Sequence, residues 1–200
     1  MLVLHSSPAS PFGRKVKIAA AFLGLSDRIE VVTADTGNPA DPIRQVNPLG
    51  KIPALVLEDG SVLFDSRVIV EWLDHEAGGG RIVPAEPAAR FAALRLQALA
   101  DGMTDAALLQ VYEGRWREAD QRSDAWLGHQ RGKVERALAA LEASPPGGAV
   151  TVGTIALACG LGYLDLRFEG RWRADHPRLV AWLDRFADAV PAFATTRPQT

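Results

Sequence analysis

The spacing of apolar and polar positions along this chain changes near residue 80. Before that point the apolar residues fall in short runs. Leu2-Val3-Leu4 and Ile29-Glu30-Val31-Val32 read as buried strands. Between them Val16, Ala19, Ala20 and Leu23 recur at helical spacing, in a segment that opens at Ser10-Pro11 and stops at Gly24. Serine is a good N-cap, proline suits the first helical position, and glycine accepts the left-handed conformation that ends a helix. Strand, helix and strand in this order predict two parallel strands. Ala54-Leu55-Val56-Leu57 and Val62-Leu63-Phe64 then flank Glu58-Asp59-Gly60-Ser61, the pattern of a β-hairpin. Asp65-Ser66 caps a helix with Ile69, Trp72 and Leu73 on one face. The expected unit is a βαβ–ββα half, with helices packed on a four-stranded mixed sheet.

Gly78-Gly79-Gly80 and a stretch from Pro84 to Pro87 mark a linker. Beyond it the pattern is helical, with expected helices at 88–102, 106–118, 124–143 and 177–189. Residues 151–168 contain a helix that is apolar nearly all round, through Ile155, Leu157, Ala158, Cys159, Leu161 and Leu164. Such a helix belongs at the centre of a bundle. The expected domains are 1–78, α/β, and 86–200, all-α.

Composition narrows the function classes. Apolar residues make up 48% of the 200 and the formal net charge is −2, so there is core enough for two small domains and no concentrated basic surface for nucleic acid. Cys159 is the single cysteine, which excludes an intramolecular disulfide and fits a reducing compartment. The N-terminus has no basic n-region, and no window approaches 18 uninterrupted apolar residues. The expectation is a cytoplasmic protein without nucleic-acid or membrane partners.

Four local sequences give the chain a family resemblance. They are Ser10-Pro11-Phe12-Gly13-Arg14-Lys15-Val16, Asn47-Pro48-Leu49-Gly50-Lys51-Ile52-Pro53-Ala54-Leu55, Leu63-Phe64-Asp65-Ser66, and Ile155-Ala156-Leu157-Ala158 leading to Gly162-Tyr163-Leu164-Asp165. In order and spacing the chain resembles cytosolic glutathione transferases along essentially its whole length, nearest to bacterial members with serine at the first helix. The resemblance implies a thioredoxin-like domain, a helical domain, glutathione as substrate without a metal, a small electrophile as second substrate, and a homodimer. One position departs from the family. Its central helix begins with Ser or Thr followed three residues later by Asp, whereas Thr151 is followed by Thr154. The reciprocal bond and charge of the carboxylate should then be missing.

The resemblance also assigns roles. Pro53 should follow a cis bond, so that the backbone of Ile52, in the Lys51-Ile52-Pro53 segment, pairs with the cysteinyl unit of glutathione. Asp65 and Ser66 should hold the ammonium and carboxylate of the γ-glutamyl end, where helix N–H groups favour an anion. Asp101, followed by Gly102, matches a carboxylate that reaches the ligand's ammonium across a dimer; on the residues alone it reads equally as a buried helix cap. Ser10 is the catalytic candidate. A thiol ionises near pH 8.5, and lowering that by about two units takes roughly 2.7 kcal/mol. One charge-assisted hydrogen bond, about 1.5–3 kcal/mol, and a helix dipole, about 0.3–1 kcal/mol, together suffice. Ser6, Ser7 and His5 lie close by as weaker candidates. Serine at this position forms no mixed disulfide, which argues against thiol-transfer chemistry. Cys159 reads as a small buried residue, and Tyr112, Trp116 and Trp172 as candidate walls for the electrophile.

Overall fold

Strand β1 (Leu2–Ser6) buries alternate residues, Leu2, Leu4 and Ser6, as a strand covered on one face must. The computed structural model, which describes residues 1–198, places it inside a four-stranded sheet of order β2-β1-β3-β4. β2 (Ile29–Thr33) runs parallel to it, and β3 (Ala54–Val56) runs antiparallel on its other side. β4 (Val62–Leu63) completes the expected hairpin with β3.

The first crossover is helix α1 (Pro11–Leu23), capped by Ser10 and closed by Gly24 at φ 77°. A single turn, α2 (Ile43–Val46), precedes β3 and has no periodic signature in the sequence. α3 (Ser66–Glu76) starts at Asp65, whose carboxylate accepts the Arg67 N–H at 2.9 Å. The linker beyond α3 is anchored rather than loose. The buried Asp74 carboxylate accepts the N–H groups of Gly80, Arg81 and Ile82 at 2.8, 2.9 and 2.7 Å.

One expectation in the second half fails. The two helices expected at 88–102 and 106–118 are a single helix, α4 (Pro87–Trp116), which runs straight through Gly102. A glycine inside a helix costs only about 1 kcal/mol relative to alanine, and packing overrides it. α4 packs against both α5 (Asp124–Ala143) and α6 (Val152–Phe168). α6 is buried along most of its length, as its all-round apolar pattern predicts. α7 (Pro177–Ala189) and the short α8 (Ala192–Thr195) close the chain against α5, α6 and α1.

The start of α6 corrects a second expectation. Thr154 Oγ1 accepts the Thr151 N–H at 2.8 Å while Thr151 Oγ1 accepts the Thr154 N–H at 3.3 Å. A hydroxyl thus supplies the reciprocal bond of the capping box, and only the charge of the carboxylate is lost.

The two halves share one core. Leu4, Val16, Ile18 and Ile69 of the sheet half belong to the same buried cluster as Met103, Ile155, Leu157 and Leu179 of the helical half. α1 is the joint, because it packs against α3 on one side and α6 on the other.

Candidate functional site

The site forms where the N-termini of α1 and α3 meet the helical half. At α1 the half-buried Ser10 hydroxyl accepts the Gly13 N–H at 3.0 Å, so its proton remains free to donate elsewhere. Ser6 lies directly beneath. A side chain at Gly13 would bring its Cβ within 1.9 Å of Ser6 Oγ, which explains a glycine in the first turn of the helix. Burial takes Ser6 out of reach of a ligand, whereas the Ser7 and Ser10 side chains are both half-buried.

Ser10 opens on a narrow crevice, about 10 Å3 in volume, whose other walls include Arg14, Cys159, Tyr163, Leu166 and Pro198. Arg14 is buried and ties α1 to the end of the chain. It donates to the Phe193 carbonyl and to Thr196 Oγ1, and lies 4.1 Å from the Phe193 ring centroid. Cys159 is fully buried, and burial pushes its thiol up to about 12. A thiol of that kind is neutral near pH 7 and is no nucleophile.

At α3 the geometry differs. Asp65 supplies the cap, and Ser66 is buried in the first turn, its hydroxyl without a partner among the described residues. The preceding loop is fixed by the buried Asn47, whose amide donates to the Lys51 carbonyl at 2.8 Å and accepts the Leu49 N–H at 3.0 Å. This leads into the Ile52–Pro53 bond, which is cis as expected; Phe64–Asp65 is cis as well. Lys51 itself is exposed.

Asp101 joins the two helix starts. Its Oδ1 and Oδ2 accept from Lys15 Nζ at 2.8 and 2.9 Å, and Oδ2 also accepts from Arg67 Nε at 3.0 Å. Lys15 is 1% and Asp101 2% exposed. The carboxylate caps no neighbouring helix and is bonded to two cations of its own chain. It fixes the second turn of α1 and the first turn of α3 to the same point on α4. The hydrogen bond from Arg67 to Asp101 holds that guanidinium still more firmly in its charged form. Asp105, one turn along α4, is pushed above the usual carboxylate range by desolvation, with Arg67 opposing.

Arg14 and Lys15 stand in the first sequence motif without an assigned role, and Arg67 lies outside the motifs. A lysine on the apolar stripe of α1, four residues before Ala19, was the available signal. Trp172 is not a wall: it is buried, and its ring N–H donates to Asp165 at 2.8 Å.

Comparison with known proteins now decides the family. Residues 9–76 match the glutathione S-transferase N-terminal domain model, and residues 104–185 match the C-terminal domain model. The chain belongs to the glutathione S-transferase family. It is 35% identical over 201 residues to the "Uncharacterized GST-like protein YibF" of Escherichia coli K12, covering 98% of each chain. A glutathione transferase family member from Pseudomonas fluorescens Pf-5, solved with bound glutathione, superposes with a TM-score of 0.93 at 40% identity, covering 100% of both chains. The same relative has been solved with S-(propanoic acid)-glutathione bound. The thioredoxin-like and helical halves of this chain are those of the family, and Ser10, Ser66 and the cis Pro53 stand on its N-terminal half.

Proposed function

We propose that this protein is an enzyme that binds glutathione as its thiolate and adds it to a small electrophile. The observation that carries this reading is the Asp101 link. It holds the N-termini of α1 and α3 against one point of α4, so two anion-favouring helix ends serve one site. Ser66 and Asp65 hold the γ-glutamyl end. The Ile52 backbone, in the Lys51-Ile52-Pro53 segment, pairs with the cysteinyl unit. Ser10 donates its hydroxyl to the sulfur. Asp101 contributes as a positioning residue, through Arg67 beside Ser66. The relative's complexes with glutathione and with a glutathione carrying a short acid support a conjugating role. Calorimetric titration with glutathione, followed by a panel of electrophiles, tests the reading; failure to bind glutathione would end it.

We further propose a cytoplasmic homodimer. Phe91, 69% exposed, and Val68, 47% exposed, leave apolar surface on α4 and α3, beside a hollow of about 270 Å3 lined in part by Val70, Leu94 and Ala98. The single cysteine forms no disulfide, and among the described residues no helix is long and apolar enough to cross a membrane. Light scattering at micromolar concentration should give twice 21.5 kDa; a 21.5 kDa particle refutes the dimer.

A further inference from the structure

The end of the chain returns to the crevice at Ser10. Pro198, half-buried, lines it together with the start of α1 and residues of α6. Arg14 is what places Pro198 there. It stands on α1 four residues beyond Ser10, lines the same crevice, and is 3% exposed. Its Nε donates at 3.3 Å to the hydroxyl of Thr196, two residues before Pro198, and its Nη2 donates to the Phe193 carbonyl. The Thr196 hydroxyl donates in turn to the Ala192 carbonyl at 2.6 Å.

The surroundings hold this arrangement in place. The Phe193 ring packs edge-on against Phe186 of α7, with centroids 5.8 Å apart. On α6 a glycine makes room for the guanidinium, since a Cβ at Gly162 would come within 2.5 Å of Arg14 Nη1. Hydrogen bonds from a guanidinium are stronger than neutral ones, and its planar fork fixes their direction. One buried arginine thus ties the helix that starts at Ser10 to the turn that ends at Pro198. The crevice between them measures about 10 Å3, room for about one water molecule. A sulfur at the Ser10 hydroxyl has this crevice beside it. A single carbon bound to that sulfur fits there, and a ring does not.

We propose that the C-terminal segment, Thr196 to Pro198, sets the size limit of the second substrate. Pro198 is the wall that determines specificity, and Arg14 is the positioning residue that holds it. The inference rests on the conjugating role proposed above. It assigns the electrophile to small unbranched aliphatic compounds whose reacting carbon carries no ring.

The test measures binding of finished conjugates, which reads the wall without depending on turnover. Calorimetry compares glutathione, S-methylglutathione and S-(naphthylmethyl)glutathione. The parent should bind the methyl conjugate more tightly than the naphthylmethyl one. Pro198→Gly removes the ring from the wall, and the affinity ratio should move roughly tenfold towards the larger conjugate, the low end of what an apolar pocket gains or loses over one methylene. In Pro198→Trp the ratio should move the other way. A purely structural role would move both variants in the same direction. Arg14→Lys keeps the charge but not the planar fork that bonds Phe193 and Thr196 together, and should act as Pro198→Gly does. If Arg14→Lys fails to fold, the two proline variants decide alone. Equal affinity of the parent for both conjugates, a ratio unmoved in Pro198→Gly, or a shift of the same sign in both proline variants each overturns the inference. A parent that binds neither glutathione nor either conjugate defeats the broader transferase reading instead.

Discussion

The two helix starts that build the site divide their work differently. At α3 two residues share it: Asp65 accepts the capping N–H, and the Ser66 hydroxyl has no partner among the described residues. At α1 one residue does both jobs, since the Ser10 hydroxyl that would face a thiolate is also the one that accepts the Gly13 N–H. Ligand binding and helix stability are therefore separable by mutation at α3 and coupled at α1. The first end can be altered for affinity at Ser66 without loosening its helix, whereas removing the Ser10 hydroxyl at the second alters fold and chemistry together.

The largest effect belongs to the group the two ends share. Asp101→Ala leaves Lys15 buried with no counter-charge and frees Arg67 from its anchor. Removing one partner of a buried pair typically costs about 3–5 kcal/mol, a large fraction of a domain's stability. Chemical denaturation should show the loss, and glutathione affinity should drop with it as the α1 and α3 ends lose their common fixed point. A stability change below about 1 kcal/mol would mean that Lys15 finds water or another acid, and the link between the two ends would be lost as an explanation.

How much of this was legible in the sequence follows the same divide between local and long-range effects. Ser10, Asp65, Gly24 and the hairpin residues act within a few positions of themselves, and their patterns predicted the structure. Asp101 was visible as a residue but not as a partner, because Lys15 lies 86 positions away. Nothing in either local pattern states that they meet. Gly102 misled in the opposite sense. Its weak local preference suggested a break, and the packing of α4 against α5 and α6 overruled it. Tyr163 stands on an apolar helix, where local pattern gives it no role beyond the core. Only the fold shows that it lines the crevice with Ser10.

The second prediction isolates the α3 end. Ser66→Ala removes a donor to the γ-glutamyl carboxylate and leaves the Asp65 cap in place. Glutathione affinity should fall by about 1.5–3 kcal/mol, the range for a hydrogen bond to a charged group. The melting temperature of the unliganded protein should stay close to the parent's. Binding as tight as the parent's would show that the γ-glutamyl end lies elsewhere. A large loss of stability without ligand would show that the two jobs are not divided at α3 after all.

The smallest expected effect is at α1, where two changes must appear together. Ser10→Ala removes the cap, which typically costs about 1 kcal/mol of stability. If the hydroxyl also donates to the thiolate, the bound thiol should ionise about one pKa unit higher, equivalent to about 1.4 kcal/mol. The shift is modest because the first N–H groups of α1 remain and still favour an anion. Conjugation near pH 7 should slow by roughly the same tenfold factor. It should recover at higher pH, where the thiol ionises unaided, while affinity, set mainly at α3, changes little. Absorbance titration of the bound thiolate, run beside thermal melts, reads both effects on one sample. A lowered melt with an unmoved thiol pKa would make Ser10 a cap alone, and would leave sulfur stabilisation to Ser7 or to the backbone amides. Ser10→Thr sharpens the distinction, because threonine keeps a hydroxyl that can cap. Where Ser10→Thr restores the melt but not the thiol pKa, the two functions of this one side chain have been separated, and the coupling at α1 is one of position rather than of chemistry.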